Sequence, residues 1–320
     1  MLRILTMGGR TTGFGHIARM IPIYDAFVEA GQSAEFFIDG DAAVFGILED
    51  RKAALKEWQH EDLSLQDDDI VLIDTLEAPR RDIGRIYKQT KHVYFISDHN
   101  KTGGWPFKVI NWQVGSAGLK AENGLYGEKY VPLRKEALYS AAKGKAHSSE
   151  PKVLISMGGG DVLNLVPKTI ALLKEFRPEA KIVGVIRSFH PQYQDLMAQQ
   201  DERLEILADV SAVDLFQAME DCTLAVASGG HSIYEFALMG IPVIHVRIAE
   251  NQDPAKCWDD TGFTFPVGLY EAESYPEKVK EGLEYFDKEQ REEASSIGRS
   301  LIDGKGGQRI CSTLIKLLDE

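Results

Sequence analysis

Short apolar runs, each followed by a polar stretch of helical length, recur along the chain. Residues 2–7 read as a buried strand, a glycine-containing loop follows, and apolar positions at helical spacing run from about 17 to 30 and stop at Gly31. Further strands are predicted at 34–38, 70–73 and 93–96. Strands alternating with helices imply right-handed crossovers and a parallel sheet. The pattern restarts after the polar stretch 141–151, which reads as a linker. A strand at 152–157, a loop of three glycines and a helix at 162–176 come first, then strands at 181–186, 204–207, 223–227 and 242–246. The predicted class is α/β, with one domain over 1–142 and a second over 151–320, each opening with strand, glycine loop and helix. Ligands of open parallel sheets bind beyond the carboxyl ends of the strands, so the two glycine loops mark where ligands are expected.

Composition narrows the choice of partner. The 320 residues, 44% of them hydrophobic, can fill two cores. With 49 acidic against 36 basic residues the net charge is -13, which argues against a nucleic-acid-binding surface. A small anion held locally stays open despite that charge, as does peripheral membrane or partner-enzyme contact. Cys222, Cys257 and Cys311 are odd in number and lack metal-ligand spacing, so neither a disulfide framework nor a zinc site is expected. The apolar run before Gly8 and Gly9 is too short for a signal peptide or a membrane span. A cytoplasmic protein is the expectation.

The segment Gly13-Phe14-Gly15-His16-Ile17-Ala18-Arg19 sets an imidazole where a glycine loop opens a helix. Unpaired amides and the helix dipole there attract anions and favour a neutral histidine, which makes His16 a candidate base beside a phosphate or developing oxyanion. Two other readings stay open on these residues alone. His16 can be an ordinary packed helix residue. Gly13, Gly15 and Ala18 also match a loose dinucleotide fingerprint, with Asp39 placed as its ribose acid, although the loop from Met7 to Gly13 is longer than that fingerprint uses.

A second cluster, Ser228-Gly229-Gly230-His231-Ser232-Ile233-Tyr234-Glu235, follows a strand and opens a helix, and its small residues allow a phosphate to approach the backbone. Ser232 and Glu235 equally fit a capping box, and Glu235 a ribose-hydroxyl ligand. Asn251 and Gln252 offer both donors and acceptors for sugar hydroxyl and acetamido groups, or form a plain turn. Gly158, Gly159 and Gly160 permit close approach to a diphosphate, with Asp161 as ligand or helix cap and Asn164 one turn on. Asp67-Asp68-Asp69 precedes an apolar strand and reads as a solvated loop, so no metal is expected there.

The GFGHIAR loop, Ser156-Met157-Gly158-Gly159-Gly160-Asp161 with Asn164, the SGGHSIYE run with Ala237-Leu238-Met239-Gly240-Ile241-Pro242, and Ala249-Glu250-Asn251-Gln252 together resemble the UDP-sugar hydrolase family of pseudaminic acid biosynthesis and its spore-coat polysaccharide relatives. Weaker similarities are Tyr130-Val131-Pro132-Leu133-Arg134 and the stretch from Ile302 to Ile310. The resemblance implies a GT-B architecture of two Rossmann-like domains facing each other across a cleft, with no cofactor and no required metal. It implies a nucleotide-sugar partner, a UDP-sugar above others. The second domain would hold the nucleotide through Gly158 to Asp161, Asn164, Ser228 to Ser232 and Glu235, while Gly13, Gly15 and Arg19 line the sugar or acceptor side of the first. His16 would activate water, and Asn251 with Gln252 would help place the sugar. The chain departs from the family pattern at Met7, where an acidic residue is usual, and at Thr75-Leu76, which follow the retained Asp74 in place of an aromatic residue. Cleavage of a UDP-sugar by water in surface glycan or nonulosonate synthesis is the leading expectation. Transfer to another acceptor, and a non-catalytic nucleotide-sugar-binding subunit, are the alternatives.

Overall fold

The computed structural model describes residues 1–75, 80–98, 107–119, 124–144, 151–158 and 160–318, with the side chains of 80–82 and 251 outside the description. Gly159 and Leu76 also lie outside it. The chain forms two compact units, Met1–Arg134 with Gly304–Glu320, and Lys135–Asp303.

The first unit is built on seven strands: β1 (Leu2–Gly8), β2 (Ala34–Gly40), β3 (Ala53–Leu55), β4 (Ile70–Asp74), β5 (His92–Ile96), β6 (Lys108–Asn111) and β7 (Gly124–Tyr126). They pair in the order β3-β2-β1-β4-β5-β6-β7, with every described pairing parallel. The second unit has β8 (Lys152–Ser156), β9 (Lys181–Ile186), β10 (Leu204–Ala208), β11 (Leu224–Ser228), β12 (Val243–Arg247) and β13 (Thr264–Leu269). Their order is β10-β9-β8-β11-β12-β13, again parallel throughout. Central strands covered on both faces must be apolar along their whole length. β4 (IVLID) and β11 (LAVAS) accordingly have every residue buried. In each sheet the strand order reverses direction between two central neighbours, β1 with β4 and β8 with β11. Open α/β sheets offer their ligand crevice at such points.

The units divide the chain differently from the expected 1–142 and 151–320. The helix Gly306–Ile315 returns to the first unit and packs against the helix Gly15–Glu29, where the Cys311 Sγ donates to the Ala26 carbonyl at 3.3 Å. Gly306 makes that docking possible, since a Cβ there would sit 2.0 Å from the Val131 carbonyl oxygen. In the other direction the helix Lys135–Ala142 joins the second unit, where Ser140 Oγ and Lys143 Nζ both donate to Glu220 Oε1, at 2.8 and 2.6 Å. Among the described residues no helix is long and apolar enough to cross a membrane.

Candidate functional site

The first unit gathers charge at its reversal point. β1 runs to Gly8, and Gly9 and Gly13 then close a small loop by exchanging backbone hydrogen bonds of 3.0 and 2.8 Å. Gly13 takes φ +79, a conformation that favours glycine, and the helix begins at Gly15 with no side chain capping it. This pinched loop replaces the tight strand-to-helix turn of a dinucleotide fingerprint.

His16, the second residue of the helix, reaches the end of β4. Its Nδ1 lies 2.8 Å from Asp74 Oδ1, and the Asp74 side chain is wholly buried. Arg19, one helical turn further, grips the same carboxylate, with Nε to Oδ2 at 2.7 Å and Nη2 to Oδ1 at 2.5 Å. Its Nη1 donates to Asp98 Oδ1 at 2.9 Å, and its guanidinium carbon lies 5.4 Å from the centre of the Trp112 ring. Gln113 Nε2 in turn donates to the Asp98 carbonyl at 2.5 Å. Burial alone would raise the Asp74 carboxyl. The Arg19 guanidinium and the His16 ring outweigh it and hold Asp74 well below the usual carboxylate range. Burial likewise opposes the charge of Arg19, but Asp74 and Asp98 overcome it and keep the guanidinium protonated.

This arrangement fixes the tautomer of His16. An ionised carboxylate only accepts hydrogen bonds, so the 2.8 Å contact requires the proton on Nδ1. Arg19 Nη2, 3.2 Å from the same nitrogen, therefore sends its proton to Asp74 and not to the imidazole. In the neutral ring Nε2 is left with the lone pair. One cation faces two carboxylates here, so a proton arriving on Nε2 is met by net negative charge. Arg19, expected to contact substrate, holds both carboxylates in this structure, each of its three nitrogens donating to one of them.

The second unit presents backbone where the first presents charge. After β8, Gly158 adopts φ +81, and Asp161 and Asn164 follow at φ +40 and +52. These left-handed residues delay the helix to Leu165–Phe176, later than the expected start at 162. The Asp161 carboxylate caps it, accepting from Leu165 N at 2.7 Å and Val166 N at 2.9 Å. His190 supports the cap. Its Nδ1 accepts from Gln192 N at 3.1 Å, so Nε2 carries the proton given to Asp161 Oδ2 at 3.2 Å. Of the two roles open to Asp161 in the sequence, the geometry is that of the cap, and its charge already occupies this helix N-terminus. Asn164 is the N-cap residue by position, with no side-chain cap bond.

β11 ends at Ser228, beside the first loop: a Cβ on Gly158 would lie 3.6 Å from Ser228 Oγ. Gly229 and Gly230 were expected to offer amides to a diphosphate. Both amides are engaged, Gly229 N with the Val246 carbonyl at 3.2 Å and Gly230 N with Ser228 O at 2.8 Å. The two glycines shape the loop, and Ser232 opens the helix Ser232–Met239, with His231 at its N-cap and no side chain capping it. Glu235 is buried in that helix. The His231 ring stands 5.4 Å from Tyr234, which meets Trp258 edge-on at 5.1 Å. Gln252 Oε1 accepts from Ile248 N at 2.8 Å and so braces its own loop, against Gly229. Asn251 lies in the turn Glu250–Trp258, and its side chain is outside the described residues.

Beneath Gly229 sits a residue that the sequence did not single out. His245 on β12 is buried, neither ring nitrogen has a hydrogen-bond partner among the described residues, and Asp259 Oδ1 stands 3.4 Å from Nδ1. A Cβ on Gly229 would approach His245 Nε2 to 2.8 Å. Asp98, Trp112 and His190 were missed as well, and Asp74 was noted only as a retained residue. The available signal for Asp74 was a single acid ending an otherwise apolar strand. Among the described residues no group of three or more His, Cys, Asp or Glu could hold a metal ion.

Comparison with known proteins places the chain by fold. No protein-family model matches it. It is 24% identical to the spore coat polysaccharide biosynthesis protein SpsG of Bacillus subtilis, over 99% of this chain and 98% of that protein. Among solved structures it is similar to the spinosyn forosaminyltransferase SpnP, with TM-score 0.66 and 12% identity over 99% of each chain. It is also similar to an S. aureus MnaA–UDP complex, with TM-score 0.58 and 12% identity over 100% of this chain and 98% of that one. Two parallel-sheet Rossmann-like units with these neighbours give the chain a GT-B fold.

Proposed function

We propose that this protein is a nucleotide-sugar-using enzyme of polysaccharide biosynthesis that transfers a sugar from UDP to an acceptor hydroxyl. The observation that carries the reading is the His16–Asp74–Arg19 assembly at the reversal point of the first sheet, which supplies an imidazole of defined tautomer backed by a carboxylate that is ionised at neutral pH. His16 Nε2 takes the acceptor proton as the new bond to the anomeric carbon forms, while the bond from that carbon to the diphosphate oxygen breaks and UDP departs. Asp74 stabilises the imidazolium so formed, and Arg19 keeps Asp74 ionised and in place. A positioned base of this kind supplies about 10²–10⁴ in rate. The loops after β8 and β11 and the opening turn of the helix Ser232–Met239 would receive the nucleotide. Support for the substrate class comes from the SpsG similarity, along with SpnP and the MnaA–UDP complex.

Hydrolysis is the second reading, favoured by the GFGHIAR, GGGD and AENQ motifs shared with the pseudaminic-acid hydrolase pattern. The same base would then act on water. Purified protein incubated with UDP-, CDP- and GDP-sugars, with and without glycan acceptors, separates the two. UDP release that depends on acceptor supports transfer, and free sugar plus UDP without acceptor supports hydrolysis. UDP binding with no turnover in any mixture leaves the non-catalytic subunit, and absence of UDP binding overturns all three.

A further inference from the structure

Parts of the two weaker sequence similarities, Tyr130 and the stretch from Lys305 onward, come together within the first unit in a groove whose lining does not include His16. The 3-10 turn Glu128–Tyr130 and the helix Gly306–Ile315 form the walls of a groove of about 420 Å³. On the helix, Lys305, Arg309, Ser312 and Thr313 recur at helical spacing on the groove side, while Gly307, Ile310, Cys311 and Leu314 are buried. Lys129 and Tyr130 face them from the turn. Arg309 Nη1 donates to the Lys129 carbonyl at 2.8 Å, which clips the walls together and holds the guanidinium at the groove. Lys129 Nζ stands 5.1 Å from the Tyr130 ring centre.

The charge of this groove runs against that of the chain. In a protein of net charge -13, three cations line one concavity, and among the described residues lining it there is no acidic side chain. The helix behind them has no acidic residue in its first turn and no side-chain cap, so its dipole adds to the same sign. The Thr313 hydroxyl donates to the Arg309 carbonyl at 2.9 Å, but cations accompanied by the Tyr130 and Ser312 hydroxyls are the chemistry that recognises phosphate oxygens, and the volume admits more than a bare ion.

We propose that this groove is a second anion site, which takes a phosphate-bearing ligand through Lys129, Lys305 and Arg309. That phosphate can belong to a small soluble molecule or to a lipid headgroup. The test uses the full chain and two probes, inorganic pyrophosphate by calorimetry and sedimentation with vesicles of phosphatidylglycerol in phosphatidylcholine, with a variant in the groove separating it from the proposed nucleotide site. The Lys129→Gln/Lys305→Gln variant removes two exposed charges and leaves the Arg309 clip intact. Wild type is expected to bind one probe saturably, with binding weakened by salt. The Gln variant should bind at least about tenfold more weakly, whereas Lys129→Arg/Lys305→Arg should retain affinity. Binding of pyrophosphate supports the site and assigns it to a soluble ligand, and binding of vesicles supports it and assigns it to lipid. If wild type binds neither, or the Gln variant binds as wild type does, the proposal is overturned. Calorimetry with UDP alone reports on the nucleotide site separately.

Discussion

The carboxyl ends of the two sheets share a topology and differ in furnishing. At the β1/β4 reversal, side chains converge and two carboxylates, a guanidinium and an imidazole form one network. At the β8/β11 reversal the loops are glycine-rich and the contacts are made largely by backbone. Within the second unit there is a further contrast. The helix Leu165–Phe176 carries its own anion, Asp161, at its N-terminus, while the helix Ser232–Met239 opens without a side-chain cap. A glycine loop before a helix thus signals two different things, a turn that needs room or a donor surface left for a ligand, and the presence of an internal carboxylate tells them apart.

The largest effect should come from breaking the network that the second unit lacks. Asp74→Asn replaces an acceptor-only carboxylate by an amide that can also donate, so the His16 tautomer is no longer fixed, and turnover should fall about 10²–10⁴-fold while UDP affinity changes little. Adding His16→Ala should cost no more than either change alone, since the pair acts as one unit; steady-state kinetics beside calorimetry reads both. Stability should respond too. Removing one partner of a buried ion pair costs about 3–5 kcal/mol, measurable by urea unfolding at neutral pH. The depressed Asp74 carboxyl stabilises the fold fully above its ordinary unfolded value near pH 4, and that contribution is lost as pH falls through the lower folded value. The gap between wild type and Asp74→Asn should therefore narrow in acid, and a gap that widens would contradict the ion-pair account.

Smaller effects distinguish the loops of the second unit. Gly229→Ala forces a methyl against His245 Nε2 and should destabilise by about 1–3 kcal/mol, whereas Gly230→Ala, with open space around it, should stay within a few tenths. Equal losses would show that the loop is not held against His245. Asp161→Ala should cost about 1–2 kcal/mol through the lost cap and the stranded His190 donor, with UDP affinity retained. A marked loss of UDP affinity with unchanged stability would make Asp161 a ligand and not a cap.

Much of the fold was legible because buried parallel strands must be continuously apolar. The runs at 2–7, 70–73 and 181–186 correspond to β1, β4 and β9 within a residue or two. Three of the four edge strands were harder to see, whereas the fourth, β10, matches the run at 204–207. β3 is three residues long, β7 begins with glycine, and β13 contains Pro266 and Gly268, which strand propensity disfavours. The compact units divide the chain elsewhere than the expected domains, since the return of Gly306–Ile315 depends on a close approach between Gly306 and Val131, a contact remote in sequence. At the candidate site, His16 was visible from its glycine setting. Asp74 and Asp98 lie 58 and 79 residues from their partners His16 and Arg19, and local pattern carries no trace of such pairings. Arg19 and Asp161 were noticed as charged residues near glycine loops, yet local sequence could not show that intramolecular partners already hold them.

The tautomer of His16 offers the most direct test of the proposed chemistry. Nitrogen NMR of histidine-labelled protein, with His16 assigned by comparison with His16→Gln, reports which ring nitrogen carries the proton in the neutral form. The account predicts a protonated Nδ1, bound to Asp74, and a bare Nε2. A proton found on Nε2 with Nδ1 bare would contradict it, because His16 could not then accept a proton from the incoming oxygen at that nitrogen.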